Sequence, residues 1–219
     1  MKIRAVSFDL DGTLITGTSG DAHLGRKLGF IDDILEWDRK YVAGEMTERE
    51  FAEKDAAHYR GRKRADMEEI LKTAPRISGI KETVAKLHAE GLYVLLGTVA
   101  WGFVAEYFQK LYSFDATSGS TMTEDSHGVF DGVIRNHFDE YDKAAWVEDL
   151  CAKRGISMEE VAAVGDSRSD IPLFGKVGLA IALNGTPAAR EAADISFDSD
   201  DLSIVLGPIL TFEHKEQCK

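Results

Sequence analysis

Two short apolar runs, one near each end of the chain, both stop at an aspartate, and this pairing constrains the fold more than any other feature. Ile3–Phe8 runs into Asp9-Leu10-Asp11-Gly12-Thr13-Leu14, and Val161–Val164 runs into Gly165-Asp166-Ser167-Arg168-Ser169-Asp170. Runs this short and this apolar read as buried strands. Leu92–Leu96 and Leu179–Leu183 have the same character. Between them the period becomes helical. Gly79–Glu90 sets Ile80, Val84 and Leu87 on one face, with Ser78 as N-cap and Gly91 just past the end. Lys143–Arg154 does the same with Trp146, Val147, Leu150 and Cys151, and stops at Gly155. Ser157 and Glu160 have capping-box spacing. Thr186-Pro187 is an N-cap followed by proline at the first helical position. Strands that alternate with helices predict an α/β fold, a Rossmann-like parallel sheet with helices on both faces.

Residues 16–75 break the alternation. Helical patterns cover Ala22–Leu28, Ile31–Val42, Thr47–Tyr59 and Ala65–Lys72, and Pro75 closes the stretch. At ~60 residues the segment far exceeds the ~30 of an ordinary strand–helix–strand unit. It is expected to be a small helical cap inserted after the first strand, the core being residues 1–15 and 76–219. Small residues and prolines at Thr16–Gly20 and Ala74–Gly79 mark the expected hinges. Thr121–Glu124 and Val129–Ile134 flank Asp125-Ser126-His127-Gly128 and read as a structural β-hairpin.

The net charge of −12 argues against a large nucleic-acid or anionic-membrane surface. The longest uncharged stretch, Gly91–Ala105, falls short of the ~20 residues of a membrane span. An aspartate at position 9 stands where a signal peptide would be apolar. Two cysteines, Cys151 and Cys218, are too few for a disulfide framework. A cytoplasmic location is expected, with the chain acting as a monomer or homodimer.

The chemistry gathers at the ends of the strands. Carboxylates at a strand's C-terminal end sit where open α/β sheets bind ligands. They are costly to bury unless paired, hydrogen-bonded or bound to a metal. Asp9 and Asp11 supply one pair, and Asp166 and Asp170 the other. Together they form a hard-cation site suited to Mg²⁺ rather than zinc. Thr98, after the strand Leu92–Leu96 and Gly97, offers a hydroxyl and following N–H groups to an anion, or caps a helix. Lys143 is expected to open a helix, where a cation needs a counter-anion against the helix dipole.

Asp-Leu-Asp-Gly-Thr-Leu, then Thr98, Lys143 and Gly-Asp-x-x-x-Asp, in that order over residues 9 to 170, resembles the haloacid dehalogenase-like phosphatases. A helical insert after the first strand resembles the phosphoserine phosphatase-type subgroup. The resemblance implies a Mg²⁺-dependent phosphomonoesterase acting on a small phosphorylated metabolite through an aspartyl-phosphate. Asp9 matches the nucleophile and Asp11 the general acid/base. Asp9, the Asp11 backbone carbonyl and Asp166 match the metal ligands. Asp170 matches the support of the metal shell and Lys143, and Thr98 and Lys143 match the phosphate ligands.

Departures from that pattern count against assuming phosphoserine as substrate. Thr18 stands where the subgroup has an acidic residue that holds the substrate amine. Glu53 or Lys54 falls near its carboxylate-binding arginine, with Arg49 and Arg60 close by, and Val99-Ala100 replaces its Gly-Gly. The basic cluster Arg60–Arg64 reads as a solvated helix end. A phosphomutase, or a non-catalytic phospho-aspartate sensor, is the alternative.

Overall fold

The first apolar run becomes β1 (Ala5–Phe8), buried along its whole length at the centre of a sheet. The structure, a computed structural model, describes residues 2–213, so Cys218 lies outside the described residues. Four helices follow β1: α1 (Gly20–Leu28), α2 (Ile31–Val42), α3 (Glu48–His58) and α4 (Arg64–Leu71). The chain continues through α5 (Ile80–Ala89), β2 (Tyr93–Leu96), α6 (Gly102–Tyr112) and β3 (Ala116–Thr117). The antiparallel pair β4 (Thr121–Glu124) and β5 (Phe130–Asn136) comes next, then α7 (Glu140–Ala152) and β6 (Val161–Gly165). α8 (Ile171–Phe174), β7 (Leu179–Leu183), α9 (Pro187–Ala192), β8 (Ile195–Phe197) and α10 (Leu206–Thr211) complete it.

The main sheet is parallel throughout, in the order β3-β2-β1-β6-β7-β8. The chain builds outward from β1 to β3, then returns to β6 beside β1 and builds the other way. The switch point therefore lies between β1 and β6, where connections diverge and leave a crevice at the strand ends. Register makes those ends level. Phe8 lies opposite both Leu96 and Val164, and the Asp9 N–H donates to the Val164 carbonyl at 2.8 Å.

Strand alternation sorts the core into two layers. Val6 and Phe8 face one way with Leu96 and Val164, towards α5, α6 and the helical insert. Ala5 faces the other way with Leu95 and Ala163, against Val147 and Cys151 of α7. The second layer is rich in alanine on its strands (Ala5, Ala163, Ala180, Ala182), which suits close helix packing.

The insert shares the first layer rather than burying a core of its own. Fully buried Tyr59 makes edge contacts with Phe30, Trp101, Phe103 and Phe130. The β4–β5 hairpin belongs to the same packing. The Phe130 N–H donates to Arg62 O, and the Gly61 N–H to Phe130 O, both at 2.9 Å. Gly132 lies where a Cβ would come within 2.7 Å of the Arg60 Cβ. Arg64 pairs with Glu106 and Glu124. The basic cluster is thus a docking edge for the hairpin, not the solvated helix end expected from sequence. The insert's two connecting strands run side by side, Thr16 N–H donating to Pro75 O at 3.2 Å and Ile77 N–H to Leu14 O at 3.0 Å.

Two helix starts differ from expectation. α7 begins at Glu140 because Asp139 caps it, accepting from the Tyr141 and Asp142 N–H groups, so Lys143 lies inside the helix. Ser78 does not cap α5. Its hydroxyl donates to Asp200 O, and Gly79 takes the cap position at φ 72°. Among the described residues no helix is long and apolar enough to cross a membrane.

Gly178 carries the tightest backbone approach. Its N–H donates to Met158 O, and a Cβ there would lie 1.9 Å from the Glu159 carbonyl oxygen, which cannot swing aside. Gly178→Ala should cost about 2–4 kcal/mol, read as a lowered denaturant midpoint. Gly175→Ala, in right-handed helical backbone at the end of α8 with only ordinary contacts at 3.8 Å or beyond, should instead gain about 0.4–1 kcal/mol.

Candidate active site

The site lies at the switch point, and its centre is a lysine. Lys143 reaches from α7 beneath the ends of β1 and β6 and is only 1% exposed. Its Nζ donates to Asp9 Oδ1 at 2.7 Å and to Asp170 Oδ1 at 2.5 Å. Gly97 lies beside it, where a Cβ would touch the lysine Cε at an ordinary 3.6 Å but would come within 2.7 Å of the Ser7 hydroxyl. Asp170 is held twice more: its Oδ2 accepts from the N–H groups of Asp166 and Ser167. Gly165 makes way for that carboxylate, because a Cβ there would sit 2.1 Å from Asp170 Cγ. Gly12, at φ 84°, does the same for Asp166, whose Oδ2 lies 2.2 Å from where its Cβ would be.

Burial and mutual repulsion set the protonation. Asp9 is pushed up to about 7, mainly by burial, with Lys143 opposing and Asp170 adding. Asp166 is pushed up to about 8 by burial, then by Asp9 and Asp170. Burial works against the Lys143 charge, but Asp170 and Asp9 more than reverse it, so the ammonium persists. One buried cation thus faces more carboxylates than it can neutralise.

The surplus fits a further cation. Carboxylate oxygens of Asp9, Asp166 and Asp170 lie within 4.8 Å of one another. Asp166 Oδ1 is buried without a hydrogen-bond partner. The donors are all oxygens, as Mg²⁺ prefers. Both Asp170 oxygens already accept hydrogen bonds, which leaves Asp9 and Asp166 as the side chains freer to hold a metal.

Asp11 stands apart from that trio. Its Oδ1 accepts from the Gly20 N–H at 2.7 Å, at the first residue of α1. Burial, then the charge of Asp21, pushes its carboxyl up to about 7. Thr98 is 1% exposed and borders the same hollow as Asp9. Its hydroxyl accepts from the Ala100 N–H at 3.1 Å, which leaves its own proton to donate. It caps no helix; Trp101 precedes α6.

Above Asp11 a cavity opens between α1–α3 and the Val99–Trp101 loop. Asp21 and Asp55 line it, and neither was singled out from sequence. Asp21 looked like an ordinary acid in a first helical turn. Asp55 left a signal: Phe51, Asp55 and Tyr59 recur every four residues, which puts a carboxylate on an apolar helix face. Thr18 is absent from the cavity; it accepts from Arg26 at 2.6 Å. Glu53 pairs with Arg49, and Arg60 donates to Asp131 O, so none of these three reaches it either.

A parallel sheet with two carboxylate-bearing strand ends flanking its switch point, a buried lysine between them and a helical insert after β1 define a class of hydrolase. The chain belongs to the haloacid dehalogenase-like hydrolases, whose family pattern matches residues 6–175. It is 28% identical over 200 residues to a phosphoserine phosphatase of Archaeoglobus fulgidus, covering 91% of this chain and 58% of that one. It is 28% identical over 206 residues to phosphoserine phosphatase SerB2 of Mycobacterium tuberculosis, covering 93% and 49%. The chain therefore spans about half the length of these two relatives. A haloacid dehalogenase family hydrolase from Salmonella enterica serovar Typhi superposes with a TM-score of 0.88 at 18% identity, over 98% of this chain and 73% of that one. That likeness is one of fold.

The insert meets the core where Glu48 faces the acidic start of α7. Glu48, first residue of α3, is pushed up to about 8 by burial, then by its hydrogen bond to Glu140 and by the charges of Glu140, Asp139 and Asp142. A raised carboxyl pKa means the folded chain keeps a proton that the unfolded chain releases above 4.5. Stability from this contact is complete below that value and is lost as pH climbs to about 8. Glu48→Gln should flatten the fall in melting temperature between about pH 6 and about pH 9 relative to wild type. Lys143→Met should cost about 3–5 kcal/mol in denaturant unfolding near neutral pH, because two buried carboxylates lose their counter-charge.

Proposed function

We propose that the chain is a cytoplasmic, Mg²⁺-dependent phosphomonoesterase for small phosphorylated metabolites, working through an aspartyl-phosphate. The observation that carries this reading is the buried Lys143 bridging Asp9 and Asp170 beside the partnerless Asp166 oxygen. An anionic carboxylate attacks an anionic phosphoryl group only where positive charge is already in place. Asp9, Asp166 and the Asp11 backbone carbonyl would hold the metal, which supplies charge neutralisation when bound. Asp170 positions Lys143 and shapes the metal shell.

In the first step an Asp9 oxygen attacks phosphorus, and the bond from phosphorus to the leaving oxygen breaks. Lys143 and Thr98 hold the equatorial oxygens as charge spreads over them. Asp11 gives its proton to the departing alkoxide; a carboxyl raised to about 7 carries that proton at neutral pH. In the second step the Asp11 carboxylate takes a proton from water, the water oxygen bonds to phosphorus, and Asp9 is released with inorganic phosphate. Residues 16–75 act as a cap over this chemistry, hinged at Thr16–Gly20 and Ala74–Gly79. The hydrogen bond from Gly20 to Asp11 supports that role, since it couples cap position to the proton donor.

The test is phosphate release from a panel of phosphomonoesters with Mg²⁺ and with chelator. Release should require the metal and vanish in Asp9→Ala. Asp11→Asn should slow steady-state phosphate release from alkyl and aryl esters alike by about 10²–10⁴-fold, while the first-turnover burst of aryl oxide is slowed much less, because an aryl oxide leaves without a proton. Transfer to a sugar phosphate instead of water, or a lasting aspartyl-phosphate without release, would overturn the hydrolase reading.

A further inference from the structure

Two hollows meet at Asp11: one holds Asp9 and Thr98, and the other opens above Asp11 and has a pronounced chemical bias. Its carboxyl groups are Asp11, Asp21, Asp38, Glu48 and Asp55. Among the described residues no lysine or arginine lines it, and His137 is its one imidazole. Arg168 borders the adjoining hollow instead, stacked 4.1 Å from the Tyr41 ring centroid. The cavity measures about 180 Å³, enough for a short aliphatic group.

Asp55 is the informative residue. It is 1% exposed, yet it sits on a helix face that otherwise buries apolar side chains. The Trp101 indole N–H donates to its Oδ2 at 2.5 Å and so fixes the carboxylate. Its Oδ1 is buried with no partner, and so is Asp21 Oδ1. The two carboxyls do not satisfy each other by a hydrogen bond. Burial pushes Asp55 up to about 7, and burial plus the charge of Asp55 pushes Asp21 well above the usual carboxylate range. Two such acceptors are expensive to keep unpaired. Among the described residues the three-acid group with ligand spacing is the Asp9 trio, to which neither belongs. Tyr41, Phe51 and Trp101 also line it, and their rings attract cations.

We propose that Asp21 and Asp55 bind a protonated amine on the leaving group, so that the preferred substrate is the phosphate ester of a small amino alcohol without a carboxylate. The proposal rests on the phosphomonoesterase reading above and assigns its substrate class. The two orphaned oxygens call for N–H donors, which a primary ammonium has and a quaternary one lacks. A substrate carboxylate would enter a chamber of carboxyl groups with no guanidinium or ammonium to meet it, a costly burial.

Steady-state phosphate release tests this with four esters: 2-aminoethyl phosphate, ethyl phosphate, phosphoserine and an aryl phosphate. Wild type should favour 2-aminoethyl over ethyl phosphate in kcat/KM by about tenfold or more, since a site built to hydrogen-bond a group discriminates against its absence. Phosphoserine should fall below the aminoethyl ester by a similar factor. In Asp55→Asn, and independently in Asp21→Asn, the aminoethyl-to-ethyl ratio should collapse by about tenfold. Thermal unfolding of each variant confirms that it is folded, and the wild-type series needs no variant at all. Equal turnover of aminoethyl and ethyl phosphate, or a preference for phosphoserine, would overturn the proposal while aryl phosphate release leaves the phosphatase reading intact. No release from any ester would overturn both.

Discussion

A lysine buried between two carboxylates is the constraint from which the rest of the molecule follows. Lys143 is buried, so its charge is tolerable only while Asp9 and Asp170 stay within reach. Those three residues come from the end of β1, the first turns of α7 and the loop after β6. Holding them together requires β1 and β6 to be neighbours in level register, as they are. It also requires space, and Gly12 and Gly165 provide it where side chains would collide with Asp166 or Asp170. Much of what looks like catalytic equipment is equally the means by which these charges are buried at all.

The legible parts of the fold were those governed by local rules. The apolar runs ending at Asp9 and Asp166 are strands because nothing else buries so short a segment, and the Thr47, Ser157 and Thr186 caps form as their spacing implies. The parallel sheet follows from the alternation. Other parts were decided at long range. β3 and β8 have two and three residues and exist because a neighbouring strand offers hydrogen bonds. α6 opens with glycine and is rich in aromatic residues, and packing into the sheet layer overrides its weak helical preference. α7 starts early because Asp139, an unremarked acid, caps it. Asp9, Asp11, Asp166 and Asp170 were visible as strand-end carboxylates. Asp21 and Asp55 were not, because their meaning depends on two helices facing one cavity.

The site divides its labour between two parts of the chain. The strand ends supply fixed charge, with Lys143 tied to Asp9 and Asp170, Asp166 beside them and the Thr98 hydroxyl buried nearby. The insert supplies the chamber where the rest of a ligand would lie. Asp11 belongs to both, its backbone continuing β1 and its carboxylate tied to the first N–H of α1. A chain built this way can change what it recognises by altering α1–α3 while the strand ends stay as they are.

The distance along the chain between Asp9 and Lys143 has a consequence for synthesis. They are 134 residues apart, and Asp166 and Asp170 come later still. At roughly 5–20 residues per second the ribosome delivers Asp9 many seconds before its counter-ion. The hairpin that completes the insert's packing is likewise made long after α1–α4. Neither β1 nor the insert can settle early, and the nascent chain must keep its first apolar strand unpaired on one side until β6 emerges. The residue made first thus becomes functional last, and a truncated chain ending before α7 holds an acid it has no means of burying.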